Sequence, residues 1–207
     1  TFDPAYLYRA LDLNTTFIAH FQDKEKGGFF TTSDQAEELL VRKKEWYDGA
    51  VPSANAVAFG NLTWLSRVTG DAKPEAAARA CARFVTGAAS QAPSAAAAFL
   101  AALACSPPWA GDVQDLVIAG DPARADTIAL LNTPVSRYLP GLTVLNRPPG
   151  TTGDNLDIVA PVTRSRVAPG CRATAYLCSG HTCKRPVTDP KELLILLDEV
   201  KGGTGRS

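Results

Sequence analysis

Residues 48–71 read DGAVPSANAVAFGNLTWLSRVTGD, and the reading of this stretch decides the fold. A polar loop at 48–53 runs into a segment that is apolar on nearly every side. Ser53 carries a hydroxyl suited to cap a helix, and Asn55 falls in that helix's first turn. Val57, Phe59, Leu62, Trp64, Leu65 and Val68 then cover more than one helical face. A helix apolar all round is buried all round, which predicts an inner helix. Gly70 is its stop signal, followed by Asp71 as a turn residue. The carboxylate, hydroxyl and amide at its entry fit two readings, the wall of a cleft or the start of a central structural helix.

Upstream, Asp3-Pro4 supplies a cap and a proline for the first helical position. Leu7, Leu11, Ile18 and Phe21 recur at helical spacing as far as a charged turn at 23–28. Residues 29–32 read as a short extended piece, and 37–47 as either a charged loop or a strand. Downstream, Pro74 opens a helix to about residue 85, and an Ala-rich helix follows over 93–105. Pro107-Pro108 halts it. The region 1–108 is therefore expected to form antiparallel helical hairpins.

The pattern changes after Pro108. Strand signals at 113–119 and 142–146 flank a helical stretch at 123–131, which predicts a βαβ unit. Residues 147–157, rich in Pro, Gly, Thr and Asn, read as a loop. A third strand is expected at 173–178, with a hairpin return at 183–187. Asp189, Pro190 and Glu192 mark the start of a last helix as a capping box. The expected fold class is α + α/β, a helical half at 1–108 and a small α/β half at 109–207.

With 207 residues, 45% of them hydrophobic and 20% charged, the composition is that of a soluble globular protein. The 21 basic and 21 acidic residues are balanced and no basic block stands out, which argues against nucleic acid or an anionic membrane as partner. No apolar run spans a bilayer. The chain opens on Thr1 and holds no Met, as expected of a processed chain or a fragment. Five cysteines, an odd number, do not suggest a disulfide scaffold and favour a soluble, reducing intracellular setting of unspecified compartment. Cys81 and Cys105 lie in Ala-rich helical segments as small buried hydrophobes.

Four candidate sites follow. The first is Trp46, Asp48, Ser53 and Asn55, with Glu45 nearby. A carboxylate and an amide that fix hydroxyls, beside a ring that packs on a sugar face, make a carbohydrate subsite. The same groups could instead satisfy the backbone of a buried turn. The second is Cys171, Cys178, His181 and Cys183. Three thiols and an imidazole are a tetrahedral zinc set, although the Cys-x4-Cys gap is wide and better suits a hairpin-tip pair, reduced or disulfide-bonded. The third is a catalytic triad around His20 or His181; His20 follows Leu13 and Phe17 on an apolar face and reads as a core or groove residue. The fourth, Gly120-Asp121 at the end of the first strand, has no glycine-rich loop around it and reads as a cap. No cofactor is expected.

The motif Asp48-Gly49-Ala50-Val51-Pro52-Ser53-Ala54-Asn55, running on to Asn61-Leu62 and Thr69-Gly70-Asp71, resembles a D-G-A-x-P-S-x-N helix start. That start is found in the thioredoxin-domain-containing family of spermatogenesis-associated protein 20 and its bacterial relatives. Gly27-Gly28-Phe29-Phe30, Ile118-Ala119-Gly120-Asp121, Tyr138-Leu139-Pro140 and Ala173 to Cys178 through Cys183 and Pro186 match further motifs in the same order. The resemblance implies a longer protein, with a thioredoxin-like domain followed by a toroid of paired helices. This toroid is similar to that of sugar epimerases and six-hairpin glycosidases. The redox cysteines would belong to that N-terminal domain, and the epimerase histidines have no matching motif here.

The chain would then be the closing sector of an (α/α) toroid plus an α/β tail. Its expected role is non-catalytic, as a scaffold or interaction module and possibly a subunit of a larger assembly. Its expected partner is the N-terminal part of the same protein, or another protein, packed on residues 50–70. The alternative is part of a carbohydrate-binding or sugar-isomerase-like cleft, with Asp48 as acid, base or hydroxyl anchor.

Overall fold

Ser53 does cap the helix: its Oγ accepts the Ala56 N–H at 3.3 Å and opens α2 (Ala54–Thr69) in the computed structural model. The structure describes residues 2–37, 40–106, 113–180 and 182–203, with side chains as far as Glu199. Two compact units divide the chain, Ala5–Trp109 and Ala110–Ser207 together with Thr1–Pro4.

In the first unit α2 ends at Gly70, whose left-handed backbone (φ 69°) lets its N–H reach Ser66 O at 2.8 Å. Asp71 then caps α3 (Ala72–Ala89) by accepting the Lys73 N–H at 2.8 Å. This helix starts two residues ahead of the expected Pro74. Proline is tolerated there because first-turn N–H groups have no helical partner anyway. The helix expected over 93–105 is broken into a 3-10 turn, Pro93–Ala96, and α4 (Ala97–Ala104). Pro107-Pro108 lies outside the described residues. Residues 41–48 form neither helix nor ladder strand; they run extended, held by bonds such as Thr31 N–H to Lys43 O.

The core gathers Phe59 and Leu62 of α2, Ala78, Cys81 and Val85 of α3, and Phe99 of α4. Ile18 and Phe17 of α1 (Pro4–Phe21) join it, with Phe17 stacked on Phe29 at 4.4 Å between centroids. Gly27 and Gly28 make the turn into Phe29 possible: both have φ 73°, and a Cβ on Gly27 would lie 2.4 Å from Ala80 O. One sequence expectation is corrected. The inner helix α2 is not buried all round, because Val57, Asn61 and Trp64 form an exposed stripe, with Val57 50% exposed.

The second unit is built on a four-stranded sheet in the order β2-β1-β3-β4. Strand β1 (Gln114–Ala119), helix α5 (Ala125–Asn132) and strand β2 (Leu142–Arg147) make the expected parallel βαβ unit. Strand β3 (Thr174–Ser179) lies antiparallel to β1 and carries the short edge strand β4 (Thr182–Cys183). Leu116, Ile118, Ala175 and Leu177 line one sheet face. Leu130 of α5 packs there with Leu193 and Leu197 of the last helix, here numbered α7 (Pro190–Gly203). Asp189 caps that helix through the Lys191 N–H at 2.7 Å.

The expected loop at 147–157 is in fact largely a helix, α6 (Gly150–Val159). Thr151, Thr152 and Gly153 are poor helix formers, so local propensity does not predict it. Tertiary partners hold it instead. Arg147 Nη2 meets Asp157 Oδ2 at 2.8 Å and Asp154 Oδ1 at 3.1 Å, and Leu156 is buried. Thr163 Oγ1 donates to Asp157 Oδ1 at 2.6 Å. Burial works to raise the Asp157 pKa, but the bonds from Arg147 and Thr163 bring it below the ordinary carboxylate value.

Candidate functional site

The entry of α2 binds three separate stretches of backbone through side chains. Asp48 Oδ1 accepts the Ser53 N–H at 2.7 Å, while its Oδ2 accepts the Ala98 N–H at the start of α4, also at 2.7 Å. The Asp48 N–H in turn donates to Ala95 O at 2.7 Å. Desolvation pushes the Asp48 pKa up, yet the amides of Ser53 and Ala98 outweigh it and hold the carboxyl below its usual range. One carboxylate thereby ties the cap residue of α2 to the first turn of α4.

Asn55 is fully buried. Its Oδ1 accepts the Phe29 N–H at 2.7 Å, and its Nδ2 donates to Phe29 O at 3.0 Å and Glu45 O at 2.6 Å. The side chain thus stands in for a strand neighbour to a segment with little ladder pairing. Cys81 Sγ adds a contact to Asn55 O at 3.4 Å, and burial pushes the Cys81 thiol up to about 12, consistent with an inert core thiol. Trp46 is half-buried and packs on the helical core, its ring edge-on to Tyr47 at 6.4 Å. Asp48, Ser53 and Asn55 are brought together as the spacing suggests, with their polar atoms directed to backbone partners. Ser53→Ala is expected to cost about 1 kcal/mol, the usual loss for an N-cap; a urea unfolding curve reads this as a lower midpoint with unchanged slope.

A second polar locus surrounds His20, which the sequence offered as a triad candidate, but its partners there were not among the sequence candidates. His20 Nδ1 lies 2.8 Å from Asp34 Oδ1, and both line a cleft of about 570 Å³ with Asp23, Phe30, Arg42 and Lys44. Lys44 Nζ donates to Asp23 Oδ2 at 2.7 Å and Gly27 O at 2.9 Å, and lies 4.2 Å from the Phe84 ring centroid. Arg42 stacks over Phe30 at 4.1 Å and bonds to His20 O at 3.2 Å. Burial works to raise the Asp23 pKa, and the Lys26 amide with Lys44 brings it below the ordinary value. His20 was the one member singled out in the sequence; the opposite charges at 23 and 44 do not by themselves pair residues across a chain. His20 is a groove residue, as one of its two readings had it.

The cysteines separate. Cys178 and Cys183 are joined by a disulfide across the β3–β4 hairpin. Cys171 is a free, exposed thiol in the 3-10 turn Pro169–Cys171, ahead of the start of β3, whereas Cys178 lies near the other end of that strand. His181 lies outside the described residues. Among the described residues no group of three or more His, Cys, Asp or Glu side chains could hold a metal ion. Asp121 Oδ1 accepts the Ala123 N–H at 2.9 Å, a turn bond ahead of α5 and not a helix cap, since Arg124 holds the N-cap position of that helix. Among the described residues no helix is long and apolar enough to cross a membrane.

A third feature is apolar. Leu13 and Phe17 of α1 and Val57, Trp64 and Leu65 of α2 line a groove of about 800 Å³.

No family model matches the chain. Curated relatives do. The chain is 31% identical over 198 residues to spermatogenesis-associated protein 20 of Mus musculus, covering 95% of this chain and 25% of that protein. It is 32% identical over 199 residues to the Homo sapiens protein of that name, covering 94% and 24%. The Rattus norvegicus protein matches at 31% over 201 residues. The chain therefore spans about a quarter of the length of the curated relatives it matches. Nearly all of this chain is accordingly homologous to one segment of spermatogenesis-associated protein 20.

Proposed function

We propose that the chain is a non-catalytic scaffold segment of a longer thioredoxin-like/toroid protein, and that its α1–α2 groove receives an apolar helix from the rest of that protein. The observation that carries this is the open face of the inner helix. Leu13, Val57 and Trp64 stand 57%, 50% and 37% exposed along one groove. Contiguous apolar surface rimmed by Asn14, Thr16 and Asn61 marks an interaction site. The occupant is assigned to the same protein because the relatives carry three quarters of their length outside the match. A neighbouring helix of an (α/α) ring has the apolar stripe that this groove fits. The carbohydrate-cleft alternative draws no support from Asp48, whose two oxygens each already accept a backbone N–H.

The test compares the same substitutions in two settings. In the 207-residue chain alone, Leu13→Asp and Val57→Asp are expected to change stability by less than about 0.5 kcal/mol, as for surface positions. In a full-length protein of this family carrying this segment, they are expected to cost about 2–4 kcal/mol by burying an unpaired charge. Equal, small effects in both settings would refute the docking. A cost confined to the longer protein supports it.

A further inference from the structure

The sheet edge holds a disulfide that the scaffold role does not use. Cys178 and Cys183 lie opposite each other in β3 and β4, and the sheet ends at β4. Cys178 is buried at 3% exposure, whereas Cys183 is half-buried on the two-residue edge strand. The guanidinium of Arg166 rests on both sulfurs. Its Nη2 is 3.1 Å from Cys183 Sγ and 3.7 Å from Cys178 Sγ. Its Nη1 donates to Arg164 O at 2.9 Å, and its Nε is buried without a hydrogen-bond partner among the described residues.

This arrangement is poorly matched to the closed disulfide. A disulfide sulfur is a weak acceptor, and a partly buried cation spends a donor on it. A thiolate in the same place would be a charge-assisted partner for that donor. Arg166 therefore favours the opened pair over the closed one. Its position is set independently of the sulfurs: the segment carrying it is tied to β3 by the Tyr176 hydroxyl, which donates to Val167 O at 2.7 Å. Other charges adjoin the pair. Lys184 follows Cys183, but its ammonium is paired with Glu199 at 2.5 Å. Asp115 of β1 stands opposite Cys178 in register, and its carboxylate works against a thiolate there. Arg166 is the cation in direct contact with the sulfurs.

We propose that Cys178–Cys183 is a thiol–disulfide exchange site that takes two electrons from an external dithiol, entered at Cys183, with Arg166 holding the released thiolate. One thiolate of the dithiol attacks Cys183 Sγ along the open sheet edge. The Cys178–Cys183 bond breaks, a mixed disulfide forms on Cys183, and the electron pair leaves on Cys178 Sγ beside Arg166. The second thiol of the dithiol, deprotonated, attacks its own sulfur in the mixed disulfide and releases Cys183 as a thiolate. The dithiol becomes a disulfide, and its two protons pass to solvent or to the new thiols. A shielded leaving sulfur and an accessible attacked sulfur give the exchange its direction. This site is independent of the α1–α2 groove, so either can fail alone.

The test uses the folded 207-residue chain in buffer without denaturant, with dithiothreitol as the small dithiol and reduced thioredoxin as the protein dithiol. Iodoacetamide trapping and mass spectrometry follow opening of the Cys178–Cys183 peptide pair. Wild type is expected to open under native conditions. Arg166→Gln is expected to open about tenfold more slowly, and Arg166→Lys, which keeps the charge, to recover most of that rate. Thermal midpoints taken in parallel separate a charge effect from unfolding, since R166K and R166Q lose the same Nη1 bond to Arg164 O. A faster rate with thioredoxin than with dithiothreitol at equal dithiol concentration assigns a protein donor, and the reverse a small-molecule one. A disulfide that opens only once the chain is unfolded, or equal rates for wild type and R166Q, would overturn the proposal.

Discussion

Asn55→Ala is expected to destabilise the chain by about 3–5 kcal/mol, the largest single-residue effect at the entry of α2. The alanine leaves the Phe29 N–H and the carbonyls of Phe29 and Glu45 without their partner. Each stranded group of buried Phe29 costs about 1–3 kcal/mol, because water cannot replace the amide there, while the carbonyl of exposed Glu45 adds less. Phe29 itself is buried against Phe17, so loss of its anchor also loosens an aromatic pair. Asn55→Asp makes a sharper companion. N55D keeps an acceptor for the Phe29 N–H but sets a carboxylate oxygen against two carbonyls. Its loss is expected to shrink in acid, as protonation restores one donor. Urea midpoints for both variants at pH 7 and pH 4 read these effects; a loss under about 1 kcal/mol for N55A would show that the bonds are not limiting.

Asp48→Asn is expected to cost about 2–3 kcal/mol at neutral pH, and the cost is expected to fall in acid. The amide can accept one N–H, but its Nδ2 then points at the other, whether from Ser53 or Ala98. The pH dependence follows from the lowered pKa of Asp48. A carboxyl whose folded pKa lies below its unfolded value, about 3.9, contributes its full stabilisation above that unfolded value. The contribution is lost as pH falls through the folded pKa. Wild type and D48N should therefore converge below about pH 4, because only wild type has a charge there to lose. Asp23 and Asp157 are lowered in the same direction and remain in both proteins, so they cancel in the difference. A gap that stayed constant from pH 7 to about pH 2 would mean that the ionised form has no special role.

Several residues carried their structural instruction locally. Ser53, Gly70 and Asp189 act within four residues of themselves, so the helix ends they mark were legible, whereas Asp71 was read as a turn residue and its cap of α3 was missed. The βαβ alternation from 113 to 147 was legible for the same reason, since period and turn chemistry are local properties. The kink after Pro93 was not, because Asp48, fifty residues earlier, supplies the Ala98 cap. Helix α6 was missed because its support comes from Arg147 and from burial of Leu156, while its own first turn is Gly and Thr. The His20–Asp34 pair and the Lys44–Asp23 pair depend on a fold-back that no spacing rule encodes.

The opening stretch divides along the same line. By itself the sequence determined that residues 54–69 would be a capped helix, too apolar for a surface position, with Asp48, Ser53 and Asn55 gathered at its entry. Tertiary structure decided what those polar groups face, which is the backbone of Phe29, Glu45 and Ala98. It also decided which apolar side of the helix is left open, the Val57–Asn61–Trp64 stripe. Hydrophobicity ranks residues for burial but is non-directional, so only the packing of α1, α3 and α4 could select the uncovered face.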